Sequence, residues 1–434
     1  MNKLQQTLLP IKLEASEERL TSLAGLIVVE ELAQAKGLWE RVNELFPPPG
    51  SGRGYEASAY VKPLVWMLQA GGRRLEDLRE LRAEQEVLRR LGLEELPSAD
   101  AAGDWLRRMG SRGVEALAPV NGELVASTLA AGPEELTLDV DAMIIEAEKE
   151  EAEWTYDKVK GYQPLIGYVG GVAVHHEFRA GNESAGAKAV EFLQGCAKQL
   201  PAGKRVYLRS DSAFYQAGVM NYCGERGWTF SITADQDSAV KAAMRQIPEN
   251  EWKAYRTREG VATDREIAET VHCLNHSERA FRLIVVRWKN PQPSLFEEQK
   301  YCYHAVASNR EERESASQVL WGHNQRGESE NWHKELKLGF GMEQMPCGQE
   351  EANALFFAIG VLAYNLSLVL KAKLLPPEYQ QASVATLRWK LYRLAGKLVR
   401  HARVWVLKVR AEGEKLGLLQ AARQKCFELS LSSA

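Results

Sequence analysis

ELTLDVDAMIIEA, residues 135–147, is the stretch whose reading decides the fold. Leu136, Leu138 and Val140 fall on one face, and Thr137, Asp139, Asp141 and Met143 on the other. Successive side chains of a strand point to opposite faces, so this is a half-buried strand with two carboxylates on its polar side. Asp139 and Asp141 share that side, two residues apart, and spacing alone does not rank them.

Downstream, the acidic stretch EAEKEEAEWTYDKVKGY (146–162) reads as helix or loop. PLIGYVGG and VAVHHEFR follow as two strands around Gly170-Gly171, a hairpin signal. A helix is predicted over about 186–199. RVYLRS (205–210) is a strand running straight into Asp211; a helix over about 215–226 and the strand WTFSITA (228–234) come next. Three strands, a helix, a strand, a helix and a strand is the order of a ribonuclease-H-like α/β fold. Its sheet brings the middle of the first strand beside the end of the fourth. Those points are Asp139 or Asp141, and Asp211. The last helix is delayed by a strand-rich insertion: WKAYRTR, REIAETVHCL, FRLIVVRW and KYCYHAVAS.

Upstream, helical spacing dominates to about residue 128. Helices are expected over about 56–70 and 75–92. Ser98 is a candidate N-cap for a short helix ending near Arg108. Such helices suit either a helix-turn-helix DNA reader or a plain bundle, and periodicity does not separate the two. The expected organisation is a helical DNA-binding domain over 1–128, a catalytic domain over 129–240, the β insertion over 241–304, the rest of the catalytic domain over 305–375, and a basic helical C-terminal region over 376–434 for DNA contact or dimerisation.

The second decisive stretch is HNQRGESENWHKELK (323–337). On a uniform helix at about 100° per residue, Arg326, Glu330 and Lys337 lie within about 60° of His323. One acid among three basic residues suits a surface that meets phosphates and a metal ion. Taken alone, Arg326 and Glu330 also fit an ordinary i,i+4 ion pair worth about 0.2–0.5 kcal/mol. Likewise Asp211 alone fits a cap on the following turn. Together, Asp141, Asp211 and Glu330 form a set of hard oxygen ligands for Mg²⁺, with Mn²⁺ as a substitute. Two such ions drive in-line displacement at phosphorus. Arg326 would grip a non-bridging phosphate oxygen, with His323 and Lys337 on phosphates beside it.

The net charge of −3 gives no overall nucleic-acid signal, but the charge is uneven. From Lys371 onward there are thirteen Lys/Arg against four Glu, a surplus of nine, so the remainder carries −12. Between Arg388 and Arg410 there is no acid, a pattern that faces a polyanion or a solvated helix surface. The six cysteines form no C-x-x-C and fit a reducing cytoplasm. The N-terminus has no apolar core of a signal peptide. The run Leu355–Leu370 is short for a bilayer and contains Asn365, so a buried core helix is expected and no membrane.

At these residues the chain resembles bacterial insertion-sequence transposases of the Asp-Asp-Glu type. Within them it is similar to the group marked by Tyr-x2-Arg-x3-Glu-x6-Lys. Arg326-x3-Glu330-x6-Lys337 keeps that spacing, with His323 in place of the Tyr. TLDVDA resembles the first-carboxylate strand and LRSDSAF the second. The small Ala142 after Asp141 makes Asp141 the better match. KGYQPLIGYV, EFRAGN and ALFFAIGVLAYNL are also similar, and the resemblance spans most of residues 15–410. Met143 stands where Thr is common, and Asp104 where a basic residue is frequent. The resemblance implies a helical end-binding domain, a catalytic domain with a β insertion, Mg²⁺, a homodimeric complex on duplex DNA, and release of the element through hairpin ends.

The expected function is therefore cleavage at the terminal inverted repeats of an insertion sequence and joining of the 3′-hydroxyls to target DNA. The location would be cytoplasmic, on the nucleoid when DNA is bound. The alternatives are a metal-dependent nuclease on the same fold without strand transfer, and an inactive DNA-binding derivative.

Overall fold

The computed structural model describes residue 11 and residues 14–50, 54–291 and 300–433. The alternating stretch is strand β1, Glu135–Ala142, with Leu136, Leu138 and Val140 buried. β2 (Leu165–Val169) and β3 (Val172–Glu177) follow as a hairpin. Its turn uses Gly170 and Gly171 at φ of 56° and 89°, a left-handed backbone that glycine adopts without strain. β4 is Arg205–Ser210 and β5 is Thr229–Thr233. Helices Ala189–Gln199 and Ala217–Arg226 make the crossovers.

The strand-rich segment contributes β6 (Lys253–Arg256), β7 (Ala262–His272), β8 (Phe281–Lys289) and β9 (Tyr301–Ser308). These strands do not stand apart. β9 pairs antiparallel with β5, with Val306 opposite Thr233, and extends one sheet to the order β6-β7-β8-β9-β5-β4-β1-β2-β3. β1, β4 and β5 are mutually parallel, and the remaining neighbours are antiparallel.

Three expectations are corrected. Ser98 does cap a helix, accepting the Ala101 N–H at 3.1 Å, but the helix runs to Ala130 rather than ending near Arg108. It bends at Gly110 (φ 43°, ψ −132°) and then resumes. The acidic stretch after β1 forms a small sheet of Ile145–Glu146, Glu153–Trp154 and Lys160–Tyr162. The basic C-terminal region is not helical throughout. Gly396–His401 and Val404–Val409 form an antiparallel hairpin that pairs with Leu20–Thr21, and only Gly413–Ser433 is a long helix. That helix lies against Ile27–Ala35, with Arg423 paired to Glu31 at 2.7 Å. The two ends of the chain thus share one hydrophobic core.

The apolar run is the helix Glu350–Leu374. It is long and apolar enough to cross a membrane, yet 89% of that window is buried inside the protein, so it is a core element. It packs along Ala99–Ala130, where a Cβ at Gly113 would meet Leu355 at 2.7 Å. Its buried Asn365 closes the edge of the sheet. Asn365 Oδ1 accepts the Ala173 N–H at 3.1 Å, and its Nδ2 donates to the Ala173 carbonyl (2.8 Å) and to Asn121 Oδ1 (2.7 Å). Asn121 Nδ2 donates to the same carbonyl at 3.0 Å. The two amides supply the polar partners that a missing neighbour strand would otherwise supply. Asn365→Leu leaves the Ala173 N–H buried without an acceptor and is expected to cost about 1–3 kcal/mol in urea unfolding. A variant as stable as the parent chain would show that this edge is satisfied by other groups.

Candidate active site at the ends of β1 and β4

β1 and β4 lie in parallel register, with Asp139 opposite Arg209 and Val140 opposite Ser210. Asp141 and Asp211 are each one residue beyond the last paired position, so the two carboxylates sit at neighbouring strand ends. The deeper pair is an ion pair. Arg209 Nε and Nη2 reach the two oxygens of Asp139 at 2.6 and 2.7 Å, and Nη1 donates to the Gly322 carbonyl at 2.5 Å. Both residues are buried. Burial pushes the Asp139 carboxyl up and the Arg209 fork opposes it. Both Asp139 oxygens are held by one buried guanidinium fork, whereas Asp141 is only partly buried and has no such fork.

Asp141 is only partly buried. Its Oδ1 accepts the Ala142 N–H at 3.1 Å, its Oδ2 accepts the Ser329 hydroxyl at 2.9 Å, and Arg326 Nη1 lies 3.5 Å from that oxygen. Burial raises its pKa, and the Arg326 charge and the Ser329 hydroxyl act against the rise. Asp211 caps the turn Ser212–Phe214 by accepting the Ala213 N–H at 3.0 Å. Burial raises its pKa first, and the Asp141 charge second. The Asp141 charge thus hinders ionisation of Asp211, a repulsion that a cation beside them would relieve.

The opening helical stretch is not wound uniformly. Ala316–Asn324 is α-helical, Gln325–Glu328 tightens to 3₁₀, Ser329–Lys334 is α-helical again, and Glu335–Gly339 widens to a π turn. The stripe expected from 100° steps is therefore redistributed. His323 is 3% exposed, and its ring nitrogens lie 3.0 Å from Ser231 Oγ and Thr233 Oγ1. Burial pushes its pKa down to about 3, so it is neutral at working pH. This corrects the expectation that His323 meets phosphate. Arg326 pairs with Asp141 rather than Glu330. Ser329, absent from the expected set, takes the contact with Asp141. Glu330 is exposed, with no hydrogen-bond or ion-pair partner among the described residues, although its charge is felt at Asp141. Lys337 Nζ donates to the Ile144 carbonyl at 2.9 Å, tying this helix to the chain just after β1. Behind the helix, Tyr168 of β2 meets Trp332 and His333 in tilted ring contacts, 5.2 and 5.4 Å between centroids.

Arg209 and Ser329 were missed, and only one had a readable signal. Asp139-x-Asp141 on β1 is matched by Arg209-x-Asp211 on β4, an acid–base difference at the deeper position and two acids at the outer one. Ser329 depends on the tightened turn before it, which periodicity does not show.

Oxygen donors alone, charge repulsion and neighbouring strand ends make Asp141 and Asp211 a fit for a hard divalent cation. Among the described residues, however, no three His, Cys, Asp or Glu side chains converge closely enough to hold one. Glu330 stays outside the pair.

Two outcomes follow from this geometry. Arg209→Met strands Asp139 as an uncompensated buried charge and is expected to cost about 3–5 kcal/mol, much of it recovered in the Arg209→Met/Asp139→Leu double variant. Urea unfolding of the three chains checks this; an additive double variant would contradict it. Asp211→Asn keeps an acceptor for the cap and removes an acid whose folded-state pKa is raised. A raised acid is more protonated folded than unfolded, so its ionisation lowers stability as pH rises through the folded pKa. In chelator, Asp211→Asn should therefore melt above the parent chain at pH 7, with the gap closing near pH 3, below the usual carboxylate value of about 3.9.

Comparison with curated proteins finds no match. The profile of the family described as transposase DDE domain group 1 matches residues 5–425, nearly the whole chain. The chain therefore belongs to this family of DDE transposases, enzymes that act on DNA in transposition and recombination.

Proposed function

We propose that this transposase cuts the ends of its insertion sequence and transfers the 3′-hydroxyls to target DNA on a ribonuclease-H-like core. The observation that carries the proposal is the pair Asp141 and Asp211 at adjacent ends of parallel β1 and β4, with Arg326 on the first. The sheet order β3-β2-β1-β4-β5, with β1, β4 and β5 parallel, supports the core assignment. The Arg326, Glu330 and Lys337 spacing supports placement in the Tyr-x2-Arg-x3-Glu-x6-Lys group, here with a buried His323 at the first position.

DDE transposases generally use divalent metal ions, and here Asp141 and Asp211 would hold Mg²⁺ or Mn²⁺, completed by Glu330 from the helix. The ion supplies activation of the attacking oxygen and charge neutralisation at the leaving oxygen. The protein's own groups do the positioning. Ser329 and the Ala142 N–H fix the Asp141 carboxylate. Arg326, loosely paired at 3.5 Å, turns from Asp141 to a non-bridging phosphate oxygen, which its planar fork fits. Lys337 has two ammonium protons left after Ile144 and presents them to a neighbouring phosphate. Water attacks first and expels the 3′-oxygen of the element; that 3′-hydroxyl then attacks a second phosphodiester. Hairpin ends and a homodimeric complex on the terminal repeats complete the cut-and-paste proposal.

The test is cleavage and joining of a labelled duplex carrying the element's end, with Mg²⁺ or Mn²⁺. Asp141→Ala, Asp211→Ala and Glu330→Ala are expected to fall to background, and Arg326→Ala to lose about 100-fold. The Arg209→Met/Asp139→Leu chain should still cut. Cutting without joining would leave a nuclease. Binding without cutting by the parent chain would leave a DNA-binding protein.

A further inference from the structure

The hairpin Gly396–His401/Val404–Val409 takes no part in the site above, yet it concentrates the chain's basic surplus. No acid occurs between Arg388 and Arg410. Lys397 and Lys408 are directly opposite in the ladder, where like charges destabilise a pair of strands. Glu18 answers Lys397 at 2.5 Å. Arg403, Lys408 and Arg410 are exposed and have no acidic partner among the described residues.

The root of the hairpin is fixed and its tip is free. Leu398 is buried and donates its N–H to the Arg19 carbonyl at 2.9 Å, and a Cβ at Gly396 would meet Ala24 at 2.7 Å. Trp405 carries the guanidinium groups of Arg19, Arg90 and Arg400 at 5.6, 5.0 and 5.8 Å from its ring centre. Arg19 is itself paired with Glu86, so Arg90 and Arg400 are the two that add positive charge around the ribbon. The turn places Ala402 and Arg403 at φ of 46° and 68°, a left-handed backbone taken here without glycine or asparagine. Backbone strain of this kind concentrates at functional sites, and the turn puts Arg403 at the tip.

We propose that this hairpin is a ribbon that grips the phosphate backbone of duplex DNA through Arg403, Lys408 and Arg410. This rests on the protein acting on DNA. A two-stranded ribbon fits the major groove, about 12 Å wide, and unpaired cations on it release counterions from the backbone. The rival occupant is a second copy of the chain, since Val404–Val409 is an edge strand with Val404 and Val406 exposed. Pairing two such edges would bring Lys408, Arg410 and Arg403 of both copies together, so charge selects the polyanion.

The test is fluorescence anisotropy of a labelled duplex with the full chain at several salt concentrations. The triple variant Arg403→Ala/Lys408→Ala/Arg410→Ala should bind about tenfold or more weakly, equally on any sequence. The slope of log affinity against log salt should fall by about two to three, near 0.9 per lost phosphate contact. The charge-retaining triple Arg403→Lys/Lys408→Arg/Arg410→Lys should bind like the parent chain, and melting should confirm all three folds. Parent-like affinity and slope in the alanine triple would overturn the inference, as would loss of self-association with DNA binding intact. If the parent chain itself fails to bind any duplex, its action on DNA fails as well.

Discussion

The parallel register of β1 and β4, across which Arg209 forks onto Asp139, is the constraint on which the rest depends. Slipping β4 by one residue against β1 would turn every side chain to the other face and strand a carboxylate and a guanidinium inside the sheet. The ion pair therefore fits only this register, and the register sets Asp141 beside Asp211. The third Arg209 donor, to the Gly322 carbonyl, extends the same lock to the helix that leads toward Arg326 and Glu330. One side chain thus aligns two strands and the start of a helix.

The insertion and the chain ends support that arrangement from two sides. β9 pairs with β5, so the inserted strands widen the sheet and deliver the chain to Ala316–Asn324 at a fixed place beside β5, where His323 bonds Ser231 and Thr233. At the other edge Asn365 and Asn121 satisfy β3, so the sheet ends against helices rather than in water. The N-terminal helices, the hairpin and the last helix form one body around the same core.

What the sequence disclosed follows from how local each signal is. β1 was legible from its period-two alternation, and β4, β5 and β6 to β9 as short runs of strand-favouring residues. Asp211 was legible as a strand-end carboxylate, and its partner as Asp139 or Asp141 on the first strand. The strand character of 396–409 was not, because a two-stranded hairpin is marginal alone and this one is stabilised by Leu20–Thr21, almost the whole chain away. The acid-rich 146–162 was misjudged for a similar reason: its strands are two or three residues long. The direction of His323 and Ser329 was lost in the change from α to 3₁₀ to π winding, which no fixed angle per residue reproduces. Spacing does not rank Asp139 and Asp141, and the partner strand separates them by giving Asp139 the Arg209 fork.

The most direct measurement is anomalous diffraction from Mn²⁺ in crystals of the protein bound to its cleaved element end. The account predicts a peak at the Asp141 and Asp211 carboxylates, Glu330 turned inward to it, and Asp139 still held by Arg209. Mn²⁺ seated on Asp139, or DNA cut and bound with no metal at the Asp141–Asp211 pair, would contradict it.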